Sequence, residues 1–532
     1  MRGGAGLLVL AQLVAAVAIA VSSDPARAAS AEEPPRALFA LIVGVNASPA
    51  PDRPPLRYAD DDAARYLDLF RALGARAYVL ARLDSATRAL HPQAAAEALP
   101  PQVESLRRAV DALARDIAQA RARGVKSTLY VVYAGHGDAR DSSWYLTLED
   151  GALGEAELLS NVVERAGADQ SHVIIDACHA YLLARPRGRG ETRRPLTGFV
   201  ALEAASRAGR IGFLLSTSAS GETHEWAGFE AGVFSHAVRS GLYGAADADG
   251  DHQVRYAEIA AFVHRASEEI ANERFRPKVL ARPPAGGDVL LDLRPRRETE
   301  LRFEGPERAA HYLLEDAQGV RLLDFHGSGS TPLHLARSAG QGPLYLRRVA
   351  DGTERVVPRT DGPVRVDDLP VVAAHAQPRG AANDAFGKLF SLGFDGAAVA
   401  SWAHDDAEAT LRAEHAQREN DAARRQEARR RVGGWSAVGV GAVAAIAAGL
   451  CELSAYRLQQ GARPFETQQL AAERNDAIDA RNAAAIGLGI GAAAALTTGA
   501  VLLLWPSRTG SGVDVDVAAL PSRAGISARW HF

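Results

Sequence analysis

Between residues 36 and 271 the chain alternates short apolar runs with amphipathic stretches, a pattern that few folds accommodate. The runs at 36–45, 75–81, 127–133, 172–176 and 211–216 are too short for stable helices and rich in Val, Ile, Leu and Tyr, which predicts buried strands. The stretches at 60–73, 103–122, 154–165 and 197–208 space their apolar residues for helices. Strands separated by helices pair in parallel, because a crossover needs the length that a helix supplies. The expectation is an α/β unit over residues 36–280, with a mainly parallel sheet flanked by helices. In such sheets ligands bind beyond the carboxyl ends of the strands.

The 532 residues exceed one ordinary core, and the remainder divides by composition. Arg2, an apolar run at 5–21 broken only by Gln12, and the small-x-small triplet Ala26, Arg27, Ala28 predict an export signal over residues 1–29. An uncleaved anchor helix is the alternative, at the lower edge of spanning length. Pro283, Pro284, Gly286 and Gly287 punctuate the end of the α/β unit. Short apolar runs at 312–314, 321–325, 344–349 and 364–366 then predict a small β-sandwich-like domain over 298–372, with no motif that assigns it a partner. A charged helical linker is expected at 376–431.

Two apolar segments, 432–451 and 483–505, are each long enough to cross a bilayer and suggest a transmembrane hairpin. Gly439, Gly441, Gly487, Gly489 and Gly491 would let its helices approach closely. The tail, 506–532, alternates at Val513, Val515 and Val517 and reads as a short β-hairpin. The arginines at 424–431 favour a cytoplasmic side for that flank, whereas the N-terminal signal exports it. The signal and the large domain behind it decide the expectation: membrane-anchored, with the α/β unit facing the periplasm or exterior. A net charge of −4, with both signs interspersed, provides no field for nucleic acid.

Only Cys178 and Cys451 occur, so no disulfide framework exists, and an unpaired Cys178 in an oxidising compartment calls for a chemical reason. The strand at 127–133 leads into Ala134, Gly135, His136 and Gly137, which predicts His136 on a tight turn above the sheet. The strand at 172–176 leads into Ala177, Cys178 and His179. Both side chains thus emerge at carboxyl ends of strands. A thiolate nucleophile needs a base within reach, and His136 is the candidate, with His179 as rival. The amides of Gly137 and Cys178 are the candidate oxyanion donors. Asp176, two residues before Cys178, shares its side of the strand and would line a pocket for Arg or Lys.

The blocks ALIVGVN (40–46), LRYADDDA (56–63), YAGHG (133–137), IDACHA (175–180) and STSASGETHEWAGFEAGVFSHAVRSGLY (216–243) resemble, in order, the bacterial caspase-like peptidases related to metacaspases. The resemblance covers residues 36–271 and implies a caspase-type fold, a dyad of His136 and Cys178, and peptide or protein substrates. It also implies that Asp62 joins Asp176 in the pocket; Asp60 and Asp61 are also placed to favour a helix N-terminus. Ala180 stands where relatives commonly carry Ser. No organic cofactor is required. Arg185, Arg187, Arg189, Arg193 and Arg194 form a basic loop, a solvated loop or a site of self-cleavage. Asp247, Asp249, Asp251 and Glu258 take the first, third, fifth and twelfth places of a calcium-loop pattern, but His252 holds the sixth place, where Gly is usual. The rival to a peptidase is a catalytically silent interaction module of the same fold, and transpeptidation is a further use of the same dyad.

Overall fold

The computed structural model describes residues 36–47, 54–140, 143–177, 204–206, 209–217, 225–340, 342–373, 386–463, 466–504, 513–520 and 523–530. It forms two compact units, residues 1–407 and 408–532.

The first unit is built on strands β1 (Ala37–Val45), β2 (Arg76–Ala81), β3 (Ser127–Gly135), β4 (Gln170–Ala177), β5 (Ile211–Thr217) and β6 (Lys278–Arg282). They form one sheet in the order β6, β5, β4, β3, β1, β2. All neighbours run parallel except β6, which is antiparallel to β5 and closes one edge. All nine residues of β3 are buried because this central strand is covered on both faces. Alternation divides the sheet into two cores. Phe39, Leu41, Val131, Tyr133, Val173 and Ile175 face one, packed against α2 (Val103–Ala122). Ala40, Ile42, Tyr130, Val132, Ile174 and Leu214 face the other. This second core also contains α1 (Ala59–Ala72), α3 (Val233–Ser240) and α4 (Tyr256–Ser267). Each buried Val, Leu or Ile stabilises the sheet by about 1.5–3 kcal/mol.

The expected strands all form. The helix expected at 154–165 begins at Glu155–Glu157 and continues as a wider π turn over Leu158–Glu164. That expected at 197–208 lies largely outside the described residues, with 204–206 helical.

Two further sheets follow. A three-stranded one joins β7 (Leu301–Phe303), β10 (Leu333–Leu335) and β13 (Val364–Arg365). A five-stranded one joins β8 (His311–Glu315), β9 (Arg321–His326), β11 (Leu344–Arg348), β12 (Thr353–Val357) and β14 (Val371–Ala373). Their apolar faces, with Phe303, Leu323 and Phe325, belong to the same core as α3 and α4, so burial is continuous between the β region and the main sheet.

The second unit holds α5 (Gly396–Gln460) from residue 408 onward and α6 (Gln468–Leu504), and Asp421–Gln460 of α5 and the whole of α6 are each long and apolar enough to cross a membrane. Val432, Trp435, Val440, Val443 and Ile446 of α5 are exposed, a placement that water disfavours and lipid accepts. The helices meet through glycine, though mostly not those expected. A Cβ on Gly441 would lie 2.7 Å from Leu496, and one on Gly499 2.8 Å from the Gly434 carbonyl oxygen. A Cβ on Gly439, Gly487, Gly489 or Gly491 would meet nothing within 4 Å. Val513–Leu520 and Arg523–Trp530 pair as the expected hairpin.

Candidate active site

β3 and β4 run parallel with Gly135 opposite Ala177, so both strands end at one rim of the sheet. β3 continues to Gly135 and the chain passes directly into a second strand, Gly137–Arg140, paired with Ser143–Thr147. His136 is therefore a junction between two strands rather than the tip of a tight turn. Its carbonyl oxygen accepts from the Thr147 amide at 3.0 Å and the Thr147 hydroxyl at 2.9 Å, with the Tyr133 hydroxyl 2.7 Å away. This clamp requires glycine at 135, where a Cβ would lie 2.7 Å from the Tyr133 hydroxyl oxygen. The His136 side chain is buried. Cys178 and its rival partner His179 lie outside the described residues, as do the arginines at 185–194.

The two candidate pocket carboxylates come together. Asp176 lies on β4 and Asp62 in the first turn of α1, and a Cβ on Gly232 would sit 2.8 Å from Asp176 Oδ2 and 3.1 Å from Asp62 Oδ2. Both side chains are buried. Asp176 Oδ2 accepts from the Ser235 amide at 3.1 Å and its hydroxyl at 2.7 Å, and Asp62 accepts from the Gly232 amide at 2.8 Å. Arg239 donates to Asp62 Oδ1 at 3.2 Å. The acids thus also hold the N-terminal turn of α3, whose dipole favours negative charge there. Burial pushes Asp62 up to about 8, opposed by Arg239 and reinforced by Asp176. Burial likewise raises Asp176 to about 6, opposed by the Ser235 hydrogen bonds. Asp60 is occupied elsewhere, accepting from the Asn46 side chain at 2.5 Å and the Asp84 amide at 2.9 Å. Asp61 is raised by burial to about 7.

Gly232, Ser235 and Arg239 belong to no pattern that marks them in the sequence as partners of these acids. A trace is present: Ser235 and Arg239 are four residues apart, hence on one helix face.

The calcium-loop pattern is only partly realised. Asp247, Asp249 and Glu258 bring ligand oxygens within 4.8 Å of one another, but Asp251 does not join them. Its carboxylate pairs with Arg255 at 2.5 Å, and the same guanidinium reaches Asp249 at 3.4 Å and Glu258 at 3.9 Å. Arg255 stands as an internal cation among the would-be ligands. His252 makes the turn expected of glycine by adopting φ +65°, a conformation His enters more readily than most residues. Burial raises Asp247 to about 6 and Glu258 to about 7, and the half-protonated Glu258 further opposes binding at neutral pH. Calcium is expected to bind only in the millimolar range. Arg255→Gln is expected to tighten it roughly tenfold, the effect of removing one competing charge. Calorimetric titration of both proteins checks this.

No family model and no curated protein matches the chain. Among solved structures it is similar to pro-Sf-caspase-1, at 12% identity and a TM-score of 0.29, over 46% of this chain and 87% of that one. It is also similar to caspase-1 from Spodoptera frugiperda, at 13% identity and a TM-score of 0.28, over 47% of this chain and 89% of that one.

Proposed function

We propose that the chain is a caspase-like cysteine endopeptidase cleaving after Arg or Lys, with Cys178 as nucleophile and His136 as general base. The observation that carries this reading is the register of β3 and β4. Gly135 pairs with Ala177, and His136 and Cys178 are the residues that follow each of them. Alternation along β3 gives His136 the parity of Ala134, which lies opposite Asp176 in the ladder.

In the proposed reaction the Cys178 thiolate attacks the scissile carbonyl carbon, and the oxyanion is held by the Gly137 and Cys178 amides. Thr147 donates to His136 rather than to Gly137. His136 then passes its proton to the departing amine, and afterwards takes one from the water that hydrolyses the thioester. The paired acids Asp62 and Asp176 supply negative charge for the cationic side chain before the cleaved bond. The α5–α6 pair would tether the enzyme to the membrane, with the α/β unit exported.

Reporter peptides ending in Arg, Lys or Asp test the reading with the full chain and Cys178→Ala. Release after Arg or Lys is expected from the first, with at least about a thousandfold loss in the second. Equal release from both proteins would end the enzyme reading, and preference for Asp would end the pocket assignment.

A further inference from the structure

We propose that His252, Glu300 and His334 form a binding site for one borderline divalent cation of the zinc class, fastening the loop before α4 to the β region. The three side chains come from separate segments. His252 lies in the loop that leads to α4, Glu300 immediately precedes β7, and His334 lies at the centre of β10, opposite Arg302 of β7. His252 Nε2 is 3.1 Å from Glu300 Oε2, and His334 Nδ1 is 3.4 Å from Glu300 Oε1. All three donor atoms lie within 4.8 Å of one another. Metal bonds of about 2.0–2.1 Å at tetrahedral angles set donor atoms about 3.4 Å apart. One edge, from His252 Nε2 to Glu300 Oε2 at 3.1 Å, is therefore already near the right length, and with all three donors within 4.8 Å a small inward movement of His334 completes the set.

The donor set selects the ion. Two imidazoles and one carboxylate suit zinc, cobalt or nickel and disfavour calcium and magnesium, which take oxygen ligands. Three protein ligands leave a fourth position for water or a further group.

The surroundings hold the ligands in place. Leu293 donates its amide to the His252 carbonyl at 2.8 Å, and the His252 amide donates to Asp247 at 2.9 Å. The Glu300 carbonyl accepts from Val364 at 3.0 Å. Gly244, with φ +119°, passes so close to the His334 carbonyl oxygen that a Cβ there would collide with it. Arg302 donates to Glu300 Oε1 at 2.7 Å, leaving Oε2 as the metal ligand and orienting it. Arg297 approaches His252 Nδ1 at 3.4 Å and must turn away when Nε2 ligates, since Nδ1 then carries the ring proton. The competing arrangement is a metal-free hydrogen-bonded trio in which both imidazoles donate to Glu300. The two differ in whether added metal is taken up.

The full chain in detergent, carrying Cys178→Ala and Cys451→Ala to remove thiol ligands, is stripped with chelator and titrated with Co2+, then Zn2+. The expected result is one Co2+ with visible d–d bands of a tetrahedral site, displaced by Zn2+ but not by excess Ca2+, together with a metal-dependent rise in Tm. His334→Gln and Glu300→Gln are each expected to weaken Zn2+ binding at least about a hundredfold. His334→Gln retains a side chain able to hydrogen-bond, and circular dichroism verifies its fold. Absence of the bands in the parent, or equal Zn2+ affinity in parent and His334→Gln, would overturn the site in favour of the hydrogen-bonded trio.

Discussion

His136→Ala is expected to lower kcat/KM for an Arg-terminated reporter by about a thousandfold at neutral pH, within the range for removing a general base. The substitution should leave the fold intact, because the clamp on this residue is made to its backbone. Its carbonyl takes the Thr147 amide and hydroxyl, and Tyr133 closes over them. Two readouts separate lost chemistry from lost structure. Thermal unfolding should change little. The pH dependence of iodoacetamide alkylation at Cys178, isolated by comparison with Cys178→Ala, should move upward by at least about one unit as the thiolate loses its partner imidazole. An unchanged alkylation profile with full activity would remove His136 from the reaction and point to the neighbouring His179. A retained rate with a collapsed Tm would instead make the residue purely architectural.

The strand frame of the candidate site is legible in the sequence alone, because it follows from local pattern. Strands buried on both faces carry continuous apolar runs, Leu129–Ala134 in β3 and Val173–Ile175 in β4, so both stand out in the sequence. Alternation also predicts that Asp176 shares a face with Cys178. The partners of Asp62 and Asp176 are less accessible: Gly232, Ser235 and Arg239 lie 56 or more residues beyond Asp176, and only tertiary packing joins them. The calcium-loop spacing is equally visible, yet spacing cannot register that a neighbouring guanidinium competes for the same oxygens. In the apolar pair, composition announces close approach but helix phase selects the glycines. Gly434 and Gly441 recur at a seven-residue interval and face Leu496 and Gly499, whereas Gly439 falls off that stripe.

The carboxylate pair leads to the second large effect, a substrate selectivity that depends on pH. With Asp62 raised to about 8 and Asp176 to about 6, near pH 7 Asp176 is largely ionised and Asp62 largely protonated, and the Arg239 guanidinium beside Asp62 offsets the remaining negative charge until Asp62 ionises. A guanidinium entering the pocket favours the ionised forms, so binding releases protons, and its strength must fall as pH drops through the raised values. The ratio of kcat/KM for an Arg reporter over its citrulline isostere, in which the shared ionisations of thiol and imidazole cancel, is therefore expected to climb from pH 5.5 to about 8 and then level. Asp176→Asn should reduce that ratio about a hundredfold at pH 7.5, the scale of losing a buried charge partner. It should also shift the remaining rise to lower pH, because Asp62 no longer ionises beside a like charge. The amide retains an acceptor for Ser235, so α3 should stay docked and Tm should change little. If Asp176→Asn slows Arg and citrulline reporters equally while lowering Tm, the two acids serve only to fasten the helix, and specificity must reside elsewhere.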